Sequence, residues 1–369
     1  MAREREHQVL YRRYRPQDFS EVVGQEHVTG AVQNALKTGR VSHAYLFSGP
    51  RGVGKTTVAR IIAKALNCTG SPKPCGRCAP CIAFQEGKSF GLIEIDAASN
   101  RGIDEIRELR DAVRYSPAEG KFKTYIIDEA HMLTKEAFNA LLKTLEEPPP
   151  HAVFILATTE LEKVPETIIS RTQHYDFRRP TIDKLIKRLQ YIAKKEGVEL
   201  ARDAAQLLAL AGEGSLRDAE SILGQIMAVE DTNITRIKTE EILGLPPREL
   251  AKKMFTAIAE SDTAGALKVV QEANDGGYDL HYFAKLLLRY FRSALFIKID
   301  PALKRFTESE LLPDELETIT KQGTIFTQEN LKQSLEIIAK NLQAFKKVPI
   351  PQLPLEVTVI ELIQNLTVQ

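Results

Sequence analysis

With 369 residues, 43 % hydrophobic and 27 % charged, the chain has an ordinary globular composition and the length for two or three domains, each able to bury a core. No apolar run reaches the ~18 residues that span a bilayer, and the opening MAREREHQVLYRRYRP is charged, so neither a membrane span nor a signal peptide is expected and a cytoplasmic location is. Lys and Arg number 50 against 49 Asp and Glu, so any contact with nucleic acid must come from local positive groups and not from a global field.

The first element is a basic and aromatic run, YRRYRP at residues 11–16, followed by DFS at 18–20, VVGQE at 22–26 and a helical pattern through Leu36. Such a run ahead of a nucleotide loop can pack on a base or be a solvated arm, and both readings stay open. Next comes YLFSGPRGVGKTTVARIIAK at residues 45–64, an apolar strand turning through a glycine loop into a helix. Gly49, Gly54, Lys55 and Thr56 fit the phosphate-loop pattern, in which successive backbone N–H groups and the helix N-terminus face one point. Lys55 would reach the β- and γ-phosphates of a nucleoside triphosphate, and the Thr56 hydroxyl would ligate Mg²⁺. A glycine turn that merely joins strand to helix is the bland alternative.

The chain's 4 cysteines follow as Cys68-x6-Cys75-x2-Cys78-x2-Cys81, with Pro72, Pro74, Gly76 and Pro80 expected to force tight turns between them. Thiols this dense in a cytosolic chain read as one tetrahedral Zn²⁺ site, because disulfides would be reduced there. An iron–sulfur cluster and free buried thiols are the alternatives. With every ligand a Cys the shell is closed, hence structural.

Apolar segments at 44–48, 92–96, 124–128, 153–158 and 173–177 alternate with helical stretches near 55–66, 102–115, 135–147 and 164–170. That alternation predicts a parallel α/β sheet covered on both faces. The third strand ends in Asp128 and Glu129, which supply a carboxylate for Mg²⁺ and one to polarise a water for attack on the γ-phosphate; a solvated strand edge is the alternative. Arg171, after the fourth strand, and Arg217, opening a later helix, are side chains suited to charge on a phosphoryl group, although an arginine at a helix end is commonly a surface residue. Ser99, Asn100, Arg101 and Gly102 precede a helix and could meet a phosphate backbone or be an ordinary N-cap.

From Pro180 to about Gly244 the pattern is wholly helical, and after Pro246-Pro247 it stays helical to the end, without any cluster of catalytic residue types. The last part is expected to pack or to oligomerise.

Together YRRYRPQDFSEVVGQEHV, HAYLFSGPRGVGKTTVARIIAKALNC, the cysteine insertion, EIDAASNRGIDEIREL, YIIDEAHMLTKEAFNALLKTLEEPP, FILATTE, IISRT and GSLRDAES resemble the AAA+ superfamily. Within it they resemble the bacterial clamp loader ATPases of the DNA polymerase III gamma/tau family, over almost the whole chain. The resemblance implies an α/β domain at residues 1–179, an AAA+ P-loop parallel sheet with a zinc-binding insertion near 68–81. It also implies a helical lid at 180–245 and an all-helical collar at 246–369.

By the same resemblance the chain is an ATPase within the DNA-directed DNA polymerase III holoenzyme, with ATP, Mg²⁺ and Zn²⁺ as cofactors. Gly49, Gly52, Val53, Gly54, Lys55, Thr56 and Thr57 would hold ATP, with Tyr11, Arg15 and Val23 about the base. Thr56 and Asp128 would serve Mg²⁺ and Glu129 the water, while Thr158 would sense the γ-phosphate. Arg171 would be offered to a neighbouring subunit's ATP and Arg217 to its own; the family's Ser-Arg-Cys reads Ser-Arg-Thr here, leaving Arg171 in place. Implied partners are delta, delta-prime and further gamma/tau copies in a five-subunit ring, a sliding clamp and primer-template DNA. Contact with the polymerase core is implied only for a longer tau form. A zinc-stabilised scaffold that holds ATP as a structural ligand, a silent loader subunit and a related helicase motor are the competing readings.

Overall fold

The computed structural model describes residues 8–100, 102–117, 120–230, 232–308, 310–311, 313–346 and 348–367. The chain divides into two compact units, one reaching to Lys195 and including Ala211–Gln225, the other made of Glu196–Leu210 and the residues from Ile226 onward.

The first unit runs α1 (Leu10–Arg13), α2 (Glu26–Thr38), β1 (Ala44–Ser48), α3 (Lys55–Leu66), α4 (Ala79–Gln85) and β2 (Leu92–Asp96). It continues through α5 (Ile103–Val113), β3 (Lys123–Asp128), α6 (Lys135–Glu146), β4 (Ala152–Thr158), α7 (Glu166–Ile169), β5 (Gln173–Asp176) and α8 (Ile182–Lys195). The five strands pair in parallel in the order β2-β3-β4-β1-β5. Every residue of β1 and β4 is buried, which is why these runs are apolar without alternation: a central parallel strand has a covered face on either side. Leu46, Tyr125, Ile127, Phe154 and Leu156 join one core with Phe138 and Leu141 of α6 and Ile106 of α5. Tyr45, Phe47, Ile126 and Ile155 point the other way, into a core with Val28 of α2 and Val58, Ile61 and Ile62 of α3. The period of two thus splits each strand between two layers and brings the C-terminal ends of β1, β3 and β4 to one edge.

The following elements are β6 (Glu199–Leu200), α9 (Arg202–Ala211), α10 (Leu216–Met227), β7 (Asn233–Ile234) and α11 (Arg236–Ile242). The expectation of a wholly helical stretch up to Gly244 is therefore corrected: Glu199 pairs with Asn233 and Leu200 with Ile234 in a short parallel ladder. Two residues per strand are too few to display a period of two, so the sequence carries no trace of it.

The rest of the second unit is helical: α12 (Arg248–Ala259), α13 (Thr263–Asp275), α14 (Leu280–Ile299), α15 (Pro313–Gln322), α16 (Gln328–Leu342) and α17 (Leu353–Thr367). Among the described residues no helix is long and apolar enough to cross a membrane. The core is a knot of aromatic rings, with Phe255 at 5.7 Å from Tyr290, 5.2 Å from Phe291 and 5.6 Å from Phe326. Beside it Arg248 Nη1 donates to both oxygens of Glu315 at 2.6 Å, and the Tyr290 hydroxyl donates to Oε1 at 2.8 Å. Burial and then the Glu315 charge push the Tyr290 pKa far above the ordinary tyrosine value.

Glu315 is fully buried and makes both short contacts to Arg248, whereas the Glu240 carboxylate stands farther off, 3.9 Å from Arg248 Nε. Glu315→Ala is expected to cost about 3–5 kcal/mol in denaturant unfolding, whereas replacing Arg248 and Glu315 together by Met and Leu should cost far less or nothing.

Candidate active site and metal centre

Beyond Ser48 the backbone turns through residues that only glycine fills well. Gly49, Gly52 and Gly54 stand at φ +134°, +75° and +107°. A Cβ on Gly49 would lie 2.2 Å from the Phe177 carbonyl oxygen, and one on Gly52 would lie 1.9 Å from Ser215 Oγ. The start of α10 is tied to this loop, since Leu216 N–H donates to Gly52 O at 3.1 Å.

Lys55 and Thr56 open α3, so their side chains leave the first turn toward the end of the sheet. Lys55 is 6 % exposed and its Nζ donates to the carbonyls of Gly49 at 2.7 Å and Pro50 at 2.8 Å. Burial draws its pKa below the usual lysine value, against the opposing charges of Glu129 and Asp128. The Thr56 hydroxyl donates to Asp128 Oδ2 at 2.7 Å, and the Glu129 N–H donates to Asp128 Oδ1 at 3.0 Å. Glu129 itself stands at φ +49°, a left-handed conformation uncommon for a residue with a side chain. Its Oε2 accepts from the Thr159 hydroxyl at 3.1 Å and lies 3.6 Å from His131 Nδ1.

An open cleft is lined by the loop from Arg51 to Thr57, by Asp128 and Glu129, and by Tyr11, Arg15, Val23, Arg188, Leu216, Arg217 and Glu220. The structure thus brings together the loop, both acids, the basic and aromatic arm and Arg217. The Arg217 guanidinium lies 4.7 Å from the Tyr11 ring centroid, and its hydrogen bond holds the Tyr11 hydroxyl below the ordinary tyrosine pKa. For Arg15, burial and then the nearby Arg60 charge lower the pKa.

Three of the sequence candidates for the nucleotide site, Gly49, Thr158 and Arg171, stand apart from this lining. Thr158 is fully buried, its hydroxyl accepting the Glu160 N–H at 3.0 Å and lying 3.1 Å from His131 Nδ1. Arg171 points elsewhere: Nε and Nη2 donate to Glu146 Oε1 at 2.9 and 2.6 Å, and Nη1 donates to the Thr167 carbonyl at 2.9 Å. Arg101 lies outside the described residues. Sequence reasoning missed Thr159 and His131, which touch Glu129, and the Arg188–Glu220 pair in the cleft wall. A signal existed for the pair, because each is a charged residue on the apolar stripe of its helix, Arg188 between Leu185 and Ile192 and Glu220 between Leu216 and Leu223.

The four cysteine Sγ atoms lie within 4.8 Å of one another, with Cys68 and Cys81 buried and Cys75 and Cys78 half-buried. Zinc with bonds of ~2.3 Å sets tetrahedral thiolates roughly 3.8 Å apart, so a small contraction would accommodate it. Burial opposes ionisation of Cys78, yet hydrogen bonds at Thr69 and Cys81 bring its thiol down to about 5, whereas burial pushes Cys81 up to about 12. The expectation of a turn at Pro80 is corrected: Pro80 lies in the first turn of α4, where its missing N–H has no helical partner to lose, and this helix carries Cys81 inward.

Three family profiles match the chain: DNA polymerase III delta subunit over residues 24–181, clamp loader subunit ATPase lid domain over 184–231, and DNA polymerase III subunits gamma and tau domain III over 234–368. The chain is 41 % identical over 368 residues to DNA polymerase III subunit tau of Bacillus subtilis, covering 97 % of this chain and 64 % of that protein. It is 43 % identical over 298 residues to the tau subunit of Escherichia coli, covering 80 % of this chain and 46 % of the relative. Against DNA polymerase III subunit gamma of Buchnera aphidicola subsp. Schizaphis graminum it is 38 % identical over 299 residues, covering 80 % of this chain and 82 % of that one. The chain therefore spans less than two thirds of the tau relatives.

Because Gly49 has neither the backbone angle nor the space for a side chain, Gly49→Ala is expected to lower the stability of the first unit by about 2 kcal/mol or more. Thermal melting with a site-specific probe in β1 would register the shift, and an unchanged melt would refute the packing argument.

Proposed function

The chain belongs to the family of DNA polymerase III gamma/tau subunits, and from that premise we propose that it is an ATP-hydrolysing clamp loader motor, which opens a sliding clamp and places it on primed DNA. The observation that carries this reading is the convergence of Lys55, Thr56, Asp128, Glu129 and Arg217 on one cleft beside a glycine loop. Lys55 faces the phosphates with its cation, and the N-terminus of α3 adds its backbone N–H groups. Thr56 and Asp128 offer adjacent oxygen donors suited to Mg²⁺, which would supply neutralising charge at the phosphate oxygens. Glu129, held by the Thr159 hydroxyl, takes the proton of the attacking water. Tyr11, Arg15 and Val23 enclose the base, and Arg217 acts on the nucleotide of its own subunit.

Arg171 is assigned a different client. It lies outside its own subunit's cleft and is about one-third exposed, which supports a role at the ATP of a neighbouring copy, where it would exchange Glu146 for phosphoryl charge. Delta, delta-prime and further copies of the chain are the proposed ring partners, and Thr158 is proposed to act on the γ-phosphate through its contacts with His131 and Glu160. Profile matches over 24–181, 184–231 and 234–368 support a division into an α/β domain, a lid and a collar; their first break agrees with a boundary near residue 180, and their second falls at 231–234, ahead of the expected residue 245.

The cysteine cluster is proposed to hold one structural Zn²⁺. Its sulfur atoms are close enough to share one ion, whereas a cubic iron–sulfur cluster gives each thiolate a separate iron and holds them farther apart.

ATPase rate, measured with partner subunits in the presence and absence of clamp and primed DNA, tests the motor reading. Glu129→Gln should retain ATP binding and lose hydrolysis by ~10²-fold or more. Arg171→Ala subunits should bind ATP alone yet depress turnover at the neighbouring site by ~10³-fold in rings of defined order. A slow wild-type rate indifferent to clamp and DNA would favour the scaffold reading instead.

Elemental analysis should find one zinc per chain, and chelation should destabilise the cysteine segment while leaving ATP affinity within about twofold, since a closed thiolate shell has no open position for nucleotide. Iron, or zinc below half an equivalent, would count against the assignment.

A further inference from the structure

The proposed hydrolysis makes no use of Arg188 and Glu220. Arg188 Nε donates to Glu220 Oε1 at 2.9 Å, with side chains only 9 % and 7 % exposed, and Arg188 Nη2 donates to the Tyr14 carbonyl. Two apolar residues could hold α8 and α10 together at least as well, because desolvating an ion pair costs as much as the pair regains. The pair nevertheless stands in the wall of the nucleotide cleft.

Its place along that cleft points to the base. Leu216 at the start of α10 is bonded to the phosphate loop, and Glu220 lies four residues on, ~6 Å farther along the helix. Leu216 and Glu220 line the same cleft as Tyr11, Val22 and Val23, the residues proposed to lie about the base and their neighbour. Burial raises the Glu220 pKa and the Arg188 charge opposes that rise; ionised in this pair, the carboxylate only accepts hydrogen bonds, and the Arg188 Nε contact engages one of its two oxygens. Adenine carries an exocyclic 6-amino donor where guanine carries a carbonyl acceptor. Resting on the nucleotide-site reading, we infer that Glu220, oriented by Arg188, determines base specificity by accepting from a 6-amino group and repelling a 6-carbonyl. Arg188 acts here as a positioning residue: it fixes the carboxylate and, through the Tyr14 carbonyl, the arm that carries Tyr11 and Arg15.

Calorimetric titration of the full chain with Mg²⁺ and ATP, GTP or ITP tests this. Wild type should favour ATP over GTP by about 100-fold or more, and should reject ITP as strongly as GTP, because ITP has the 6-carbonyl without the 2-amino group. Glu220→Gln, whose amide can donate to a carbonyl, should narrow the ATP/GTP ratio at least tenfold. If that variant melts early, the double variant Arg188→Met, Glu220→Met leaves no buried charge unpaired and should lose the preference as well. Equal wild-type binding of ATP and GTP, tight ITP binding, or folded variants that keep the wild-type ratio would overturn the inference and leave the site reading intact. Failure of wild type to bind any of the three would instead sink the nucleotide site itself.

Discussion

The hydrogen bond from Thr56 to Asp128 joins the first turn of α3 to the last residue of β3, and the arrangement of the cleft follows from it. These residues are 72 apart in sequence, and a strand lies between β1 and β3 in the sheet. They meet because β4 holds both neighbours in register, Ser48 beside Thr158 and Ile127 beside Leu156, so that three strands end at one level. Any slip by one residue would exchange the two cores that the sheet separates and would turn Asp128 away from the loop. The chemistry is thus set by the packing of Tyr45, Phe47, Tyr125 and Phe154, none of which enters the cleft.

The same dependence explains what was legible in the sequence. The glycine loop, the strand ending in two acids and the cysteine spacing are patterns local in the chain, and the five strands of the large sheet appear within a residue of their expected bounds. Long apolar runs disclosed a sheet buried on both faces for the same reason. Thr159, His131, Arg188 and Glu220 were not legible as a set, because their roles come from side chains meeting across elements. Arg188 and Glu220 are 32 residues apart on different helices, and only their intrusion on apolar stripes marks them. The short ladder of β6 and β7 was lost for want of length.

The two units use buried charge differently. In the second unit Arg248, Glu315 and Tyr290 bond to one another beside an aromatic core. In the first, Arg188 and Glu220 form their pair at the wall of an open cleft, where one acceptor surface can still meet a ligand. Desolvation is costly in both places, and the difference lies in what the charge can reach.

Glu129 carries a consequence for how this chain tolerates change over generations. A glycine at φ +49° would escape the penalty that any side chain bears there, so substitution at this position relaxes the backbone while removing the carboxylate. Under the proposed role of Glu129, the drift toward a sturdier chain and the drift toward an inert one run in the same direction, and only selection on turnover can hold them apart.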